Sequence, residues 1–390
     1  MREDGYISKK QEKDALFSLE KVDFLPKETQ SIKAPHFSLY VKDLLIKQFG
    51  EKMVEAGGLQ VTTTLDYKLQ AKAEEIVKEE VRAAKSLKVG NGAVMVLNPK
   101  NGYILTMVGS RDFFETGEEG QFNVAVQGLR QPGSAIKPVT YAAALEKGYT
   151  ASMLLMDIKT VFPNQGEKDY TPVNYDGKYH GPVQMRFALG SSLNVPAVKM
   201  LAQVGIKNML TTAERMGLYT LAATDDNIKR FGLSITLGGG EVHLIDLASA
   251  YSSFANGGYS VEPIAIVKVT DSKGKVLFEY KDSTKPRVLS EEVAFIISNI
   301  LSDNKSRLLT FGENSYLNMG AREVAVKTGT TDDRRDNWTI GWTPSVLVAS
   351  WVGNNDNSPM GNVASGVTGA APIWRKVILE ALKRKSSEDF

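Results

Sequence analysis

Cysteine is absent from the 390 residues. Thiol catalysis, structural disulfides and cysteine-ligated metals are therefore excluded. Histidine is scarce: His36, His180 and His243 lie far apart, in no HExxH or HxH spacing. A histidine-rich zinc site is not expected, nor is a mechanism that needs several imidazoles. No run of about eighteen apolar residues occurs, so no bilayer-spanning helix is expected. Met1-Arg2-Glu3-Asp4 leads into no apolar stretch, so it does not read as a signal peptide, and the chain as given is not expected to carry export or anchoring information. Charge of one sign is also lacking. Lys+Arg number 47 and Asp+Glu 45, a net +2, which leaves no basic excess to neutralise phosphates. Nucleic acid is not expected as a partner. Internal repeats and low-complexity tracts are not evident.

What is present is ordinary globular usage, with 42% hydrophobic and 24% charged residues. A sizeable core is possible and wholesale disorder is excluded. At roughly 150 residues per domain, the length fits two to three domains or one large domain with appendages. Lys9 to Glu20 reads as a short charged helix, followed by Pro26 and Pro35 as punctuation. Phe37 to Phe49 has apolar residues on roughly one helical face, stopped by Gly57-Gly58. Leu59 to Leu65 alternates and is β-branched, a strand signal. Asp66 then caps a helix of about twenty residues with Leu69, Ala73, Ile76, Val77, Val81 and Ala84 on one face.

The texture changes at Gly92. Ala93 to Leu97 is a buried strand, Asn98 to Gly102 a turn and Tyr103 to Val108 a return strand, so a hairpin and a domain boundary fall near residue 90. Helices and glycine-rich loops dominate to about residue 300. Strands return at Glu323 to Lys327, Trp338 to Gly341 and Val346 to Trp351, and the last helix covers about Pro372 to Lys383. Strands at both ends with helices between imply one sheet closed by N- and C-terminal strands and covered by helices, an α+β architecture. Trp338, Trp342 and Trp351 read as sheet core, and His180 and His243 as structural.

Three short motifs can carry chemistry. In Pro132-Gly133-Ser134-Ala135-Ile136-Lys137-Pro138, Ser134 opens a helix and Lys137 stands one turn on, beside it. A lysine in a dry pocket loses basicity and can take a serine proton. The free N–H groups and dipole of the helix start favour developing negative charge at Ser134. Alone, the motif reads equally as a serine cap followed by a surface lysine. In Ser191-Ser192-Leu193-Asn194 a tight loop can aim a hydroxyl and an amide the same way, or form an Asx turn. In Lys327-Thr328-Gly329-Thr330-Thr331, at a strand end, Gly329 has no Cβ and would let a ligand approach the edge. Lys327, Thr328 and Thr330 would receive a carboxylate, and the Thr330 N–H could hold an oxyanion. The bland reading is an edge strand guarded by lysine. Gly238-Gly239-Gly240 lacks the strand and spacing of a nucleotide-binding loop.

The combination is what separates function from accident. S-x-x-K, S-x-N and K-T-G follow in that order, each on the element its chemistry needs. With them the chain closely resembles the C-terminal half of class A (bifunctional) penicillin-binding proteins. The resemblance extends over Gly92 to Gly109, Arg130-Gln131, Leu237 to Val242, Ala248 to Tyr251, Phe254 to Gly258, Asp336-Asn337-Trp338 and Gly341 to Pro344. It reaches back to Gly5-Tyr6-Ile7 and Leu59 to Asp66. It implies a penicillin-binding/serine β-lactamase-like transpeptidase fold, with a central antiparallel sheet flanked by helices and a small N-terminal linker region. The implied domains are a glycosyltransferase remnant at 1–27, a linker at 28–89 and a transpeptidase domain at 90–385. Family members start with a membrane helix and a glycosyltransferase domain. Neither precedes Met1, so the chain is expected to be part of a longer protein, without glycosyltransferase activity, and membrane-anchored outside the cytoplasm only in its full-length parent. The middle motif is S-L-N, as is usual in the family.

The resemblance implies catalytic roles for Ser134 (nucleophile), Lys137 (base), Ser192 (proton relay), Asn194, Lys327 and Thr330. It implies substrate binding by Asn194, Lys327, Thr328, Gly329 and Thr330. The implied partners are peptidoglycan stem peptides ending in D-Ala-D-Ala and the β-lactams that mimic them, with no metal or organic cofactor. The rivals are a DD-carboxypeptidase or β-lactamase-like hydrolase, for which no water-activating glutamate is assignable, and a non-catalytic peptidoglycan-binding fragment.

Overall fold

The computed structural model describes residues 1–19, 32–56, 58–115, 120–163, 169–282, 284–361 and 368–390. Glu20, Pro26 and Gly57 of the reading above lie outside them. The chain divides into two compact units, Met1–Lys33 and Ala34–Phe390. In the first, α1 (Lys9–Leu19) is a short charged helix whose start is tied by Gln11 N donating to Ser8 Oγ.

Among the described residues of the larger unit, ten strands form three antiparallel sheets. β1 (Gln60–Thr63) pairs with a strand far along the chain. β2 (Asn91–Leu97) and β3 (Ile104–Val108) are the expected hairpin. β4 (Leu154–Asp157) and β5 (Gly181–Gln184) form a two-stranded ribbon. β6 (Ile266–Thr270) and β7 (Val276–Glu279) extend the sheet begun by β1. β8 (Ala325–Thr330), β9 (Asp336–Thr343) and β10 (Val346–Gly353) complete the main sheet, in the order β3-β2-β10-β9-β8. The N-terminal hairpin thus joins the C-terminal strands through β2 against β10, with Leu97 opposite Leu347 and Ala93 opposite Trp351. The ribbon β4–β5 and the strands β6 and β7 were not anticipated, because each is only four or five residues long.

Both faces of the main sheet are covered, so its strands are buried almost throughout, the polar Asp336, Asn337, Thr339 and Ser350 included. Ala93, Met95 and Leu97 of β2, Trp338, Ile340 and Trp342 of β9, and Leu347, Ala349 and Trp351 of β10 point into one core. Val94, Val96, Val348 and Val352 point into the other. The second core is closed by α3 (Tyr67–Ala83), which presents Ala73, Ile76, Val77 and Val81, and by the last helix. Asp66 caps α3 as expected, accepting from the N–H groups of Lys68 and Leu69 at 3.0 and 3.1 Å. Residues 34–89, including α2 (Pro35–Phe49), belong to the same compact unit as the sheet.

The first core is closed by the helices between the strand groups: α4 (Lys137–Glu146), α5 (Met185–Gly190), α6 (Asn194–Val204), α7 (Leu244–Ala255) and α8 (Glu291–Ser302). α9 (Ala370–Ala381) is the terminal helix on the opposite face. Trp338, Trp342 and Trp351 are fully buried. Trp342 packs edge-on against Tyr251 at 5.3 Å and donates its indole N–H to Ser298 Oγ at 3.0 Å. The tyrosine hydroxyl of α7 donates in turn to the Ala135 carbonyl. The aromatic core therefore reaches directly to the turn that carries Ser134.

Candidate active site

Ser134 lies in a single 3₁₀ turn, Gly133–Ile136, that runs into α4. With three residues per turn, Ser134 and Lys137 stack one above the other. Lys137 is the first residue of α4, and Pro138 occupies the first turn, where its missing N–H costs least. The turn is held from three sides. Trp338 Nε1 donates to the Gln131 carbonyl at 2.8 Å. Tyr251 holds Ala135. The third side is β8, the edge strand of the main sheet.

Contact with β8 is so close that Gly329 has a different use from the one its sequence suggested. A Cβ there would stand 2.2 Å from the Pro132 carbonyl oxygen and 2.9 Å from Ala135 Cβ. What approaches the strand is the serine turn itself. Gly133, with φ +55°, completes the fit, since a Cβ on it would meet the Thr330 carbonyl at 2.4 Å. The turn backs onto Gly238 of the glycine run on its other side.

The second motif lies opposite. Ser192 has φ +57°, a left-handed conformation that costs a non-glycine residue about 1 kcal/mol. Its neighbour Ser191 is pinned through Oγ to the Ser306 carbonyl at 2.9 Å. Asn194 opens α6. Lys137 Nζ donates to the Ser192 carbonyl at 2.6 Å and to Asn194 Oδ1 at 2.7 Å, with Ser192 Oγ at 3.4 Å. No hydrogen bond among the described residues joins it to Ser134; its bonds go to the second motif instead. Lys327 Nζ donates to the same Ser192 Oγ at 2.8 Å and to the Thr328 carbonyl at 2.7 Å. One hydroxyl thus stands between two lysine nitrogens.

Both lysines are buried, at 0% and 2% exposure. Burial, reinforced by the charge of Lys327 and opposed by Asp332, pushes the Lys137 ammonium well below the usual lysine range. Burial, reinforced by the Arg307 guanidinium, brings Lys327 down to about 7. Arg307 is itself fully buried, donating to the Leu317 carbonyl at 3.1 Å and to the Leu301 carbonyl. Positive groups thus face one another, opposed by the carboxylates of Asp332 at Lys137 and Asp303 at Arg307, and the ammonium form of both lysines is disfavoured relative to water.

A cleft of about 500 Å³ opens over these groups. Ser134, Ser192, Asn194, Thr328 and Thr330 line it, with Val173, Tyr175, Phe311, Asp332 and Arg334 completing the wall. Thr330 Oγ1 accepts from Asn337 Nδ2 at 3.1 Å, and Asn337 Oδ1 accepts from the Ala370 N–H, so α9 fixes the end of β8. A larger cleft, about 1070 Å³, lies by the end of α7 and the C-terminal Asp389 and Phe390 and holds none of the motif residues. All eight residues singled out from the sequence therefore fall in or directly beneath one cleft. The sequence did not reveal Tyr175, Asp332 or Asn174 as parts of its wall, or Arg307 as the buried charge acting on Lys327. Arg307 and Asn174 are singly placed polar residues in unremarkable surroundings, and no local spacing marks them. Among the described residues no cluster of potential metal ligands occurs, and no helix is long and apolar enough to cross a membrane.

Comparisons with known proteins bear on the family and the fold. The family model described as the penicillin binding protein transpeptidase domain matches residues 92–378. Penicillin-binding protein 2D of Bacillus subtilis is 32% identical over 407 residues, covering 98% of this chain and 56% of that protein. Penicillin-binding protein 1A of Neisseria gonorrhoeae is 34% identical over 303 residues, covering 76% of this chain and 36% of that protein. The chain thus spans about half the length, or less, of these curated relatives. Among solved structures, PonA1 of Mycobacterium tuberculosis superposes with a TM-score of 0.77 at 26% identity, over 92% of this chain and 95% of that one. Penicillin-binding protein 1A of Haemophilus influenzae gives 0.81 at 24% identity, over 100% of this chain and 75% of that one, a likeness of fold. The chain belongs to the penicillin-binding protein transpeptidase family, and within it matches the C-terminal half of class A members.

Two outcomes are expected from the packing and the buried charge. Gly329→Ala should cost about 1–3 kcal/mol of stability, because the backbone of the serine turn must retreat from β8; chemical denaturation reads the loss. Lys327→Met should change the pH dependence of stability in a defined direction. With its native value near 7 against an ordinary 10.5, the wild-type lysine penalises folding fully below pH 7. That penalty fades as pH rises from about 7 to 10.5, since the unfolded chain binds more protons in that window. Thermal melts should therefore show the variant gaining on wild type as pH falls from 9 to 6.

Proposed function

We propose that this chain is a serine DD-transpeptidase that cross-links peptidoglycan stem peptides through an acyl-enzyme on Ser134 and that β-lactams acylate the same residue. The single observation that supports it most is the convergence on one hydroxyl, Ser192 Oγ, of two buried lysines beside the Ser134 turn. Family membership supports the reaction class, and PonA1, one of the similar structures, has been solved in complex with penicillin V.

In this reading Lys137, as free amine, takes the Ser134 proton while Oγ attacks the carbonyl between the two terminal D-alanines. The backbone N–H groups of Ser134 and Thr330 hold the oxyanion; one such donor is worth about 10²–10³ in rate. Thr328, Thr330 and Lys327 receive the terminal carboxylate. Asn194 binds the substrate amide through the amide hydrogen that its bond to the Val173 carbonyl leaves over. The intermediate collapses by breaking the C–N bond to the terminal D-alanine, whose nitrogen takes a proton relayed from Lys137 through Ser192. The amine of a neighbouring stem then attacks the ester, forming the new amide and returning the proton to Ser134 Oγ. The reaction takes place outside the cytoplasm, where the polymer is assembled, with the parent protein anchored in the membrane.

Intact-mass measurement after incubation with penicillin tests the reading. Wild type should gain the mass of one intact penicillin, and Ser134→Ala should gain none while keeping its melting temperature. Labelling that survives in this variant would displace Ser134 as nucleophile. Lys137→Ala should slow acylation by about 10²–10⁴, the usual range for loss of a positioned base; a near-normal rate in stopped-flow labelling would move the base elsewhere. Release of the adduct within seconds would make the chain a hydrolase instead.

A further inference from the structure

The start of α6 has no cap of its own. Leu193, in the cap position, offers no side-chain acceptor, yet Asn194 must be held firmly to meet Lys137. The missing acceptor comes from a different segment. Asn174 Oδ1 accepts from the N–H groups of Asn194 at 2.8 Å and Val195 at 3.2 Å. Its neighbour Val173 accepts from Asn194 Nδ2 through its carbonyl at 2.8 Å, which turns Asn194 Oδ1 toward the lysine.

Asn174 is 4% exposed and is itself held from behind. Its Nδ2 donates to both carboxylate oxygens of Asp157, at 2.9 and 2.8 Å, and to the Lys178 carbonyl at 2.8 Å. Asp157 is fully buried and also accepts from the His180 backbone N–H at 2.9 Å, with His180 Nδ1 at 2.7 Å. His180 Nε2 meets Asp176 at 3.3 Å, near the surface. Both ends of the Asn174 side-chain amide have partners, so the amide cannot flip without stranding a buried group.

We propose that Asn174 is a positioning residue for acylation: braced by Asp157 and His180, it caps α6 and fixes the Asn194 amide against Lys137. This rests on the acyl-enzyme reading above. The role is specific to the direction of the bonds, and that gives a test. Asn174→Asp keeps the acceptor for α6 but sets a carboxylate against Asp157. Asp157→Asn removes the charge but leaves an amide facing an amide. The double variant N174D/D157N restores one carboxylate and one amide with their places exchanged.

Acylation by a fluorescent penicillin should slow by about tenfold in N174A and N174D, with a smaller loss in D157N, and return to within about threefold of wild type in N174D/D157N, the coupling expected of direct partners. N174A should also move the acid limb of its acylation profile to lower pH, because the Asn194 oxygen that favours the Lys137 ammonium is no longer held. Lys327 and Asp332, the other charges facing Lys137, are untouched. A wild-type rate and profile in N174A overturns the proposal, as does a folded double variant slower than both of its single variants. If N174A does not fold, the single and double exchanges alone decide. No labelling of wild type would remove this proposal together with the acyl-enzyme reading, whereas a labelled wild type with an unaffected N174A removes the positioning role alone.

Discussion

Everything at this site depends on keeping two amino groups dry. An exposed lysine is an ammonium and cannot accept a proton at neutral pH. Here the two nitrogens share the Ser192 hydroxyl, and neither is offered a full carboxylate partner, with Asp332 acting only from a distance on Lys137. The surrounding protein must therefore exclude water and tolerate the repulsion. That demand explains the weight of apolar packing behind the site. The tryptophans of β9 and β10, the tyrosine of α7 and the faces of five helices close the same core against which the lysines are set. The cost is borne as stability forgone, a common arrangement where reactive groups are held in unfavourable protonation states.

The site is assembled from parts that are rigid for different reasons. The serine turn is wedged backbone-to-backbone between β8 and Gly238. The Ser192 loop is fixed by its strained φ and by Ser191 on Ser306. Asn194 is fixed by an asparagine outside the three motifs. Each piece is held by groups remote in sequence, so the accuracy of the cleft is a property of the whole larger unit rather than of any loop in it.

That division also decides what could be read in advance. The hairpin at 91–108, the strands after residue 325, the α3 helix with its Asp66 cap and the buried tryptophans all follow from local pattern and turn chemistry, and the structure has them. The eight motif residues could be grouped because their spacing is a strong signature and each lies on a suitable element. The reason for Gly329 was not legible, since a missing Cβ looks the same whether a ligand or a neighbouring turn fills the space. Nor could the sequence show that Lys137 would bond Ser192 and Asn194 rather than Ser134. Helical spacing brings side chains near one another, but the competing acceptors arrive from another segment. Arg307 and Asn174 are invisible for the same reason: their importance is created by the tertiary fold.

The pairing of β2 with β10 has a consequence for how the molecule comes into being. Leu97 meets Leu347 only after nearly the whole of the larger unit has been made, and this pairing of neighbouring strands, unlike a hairpin, cannot form early. Closing so long a loop is slow even where it is not very costly in entropy. Until it closes, the first hairpin presents an apolar edge with no neighbour, a surface prone to association with other chains. A nascent copy therefore gains a competent cleft in one late step, and no shorter piece of this unit is expected to hold a partial one.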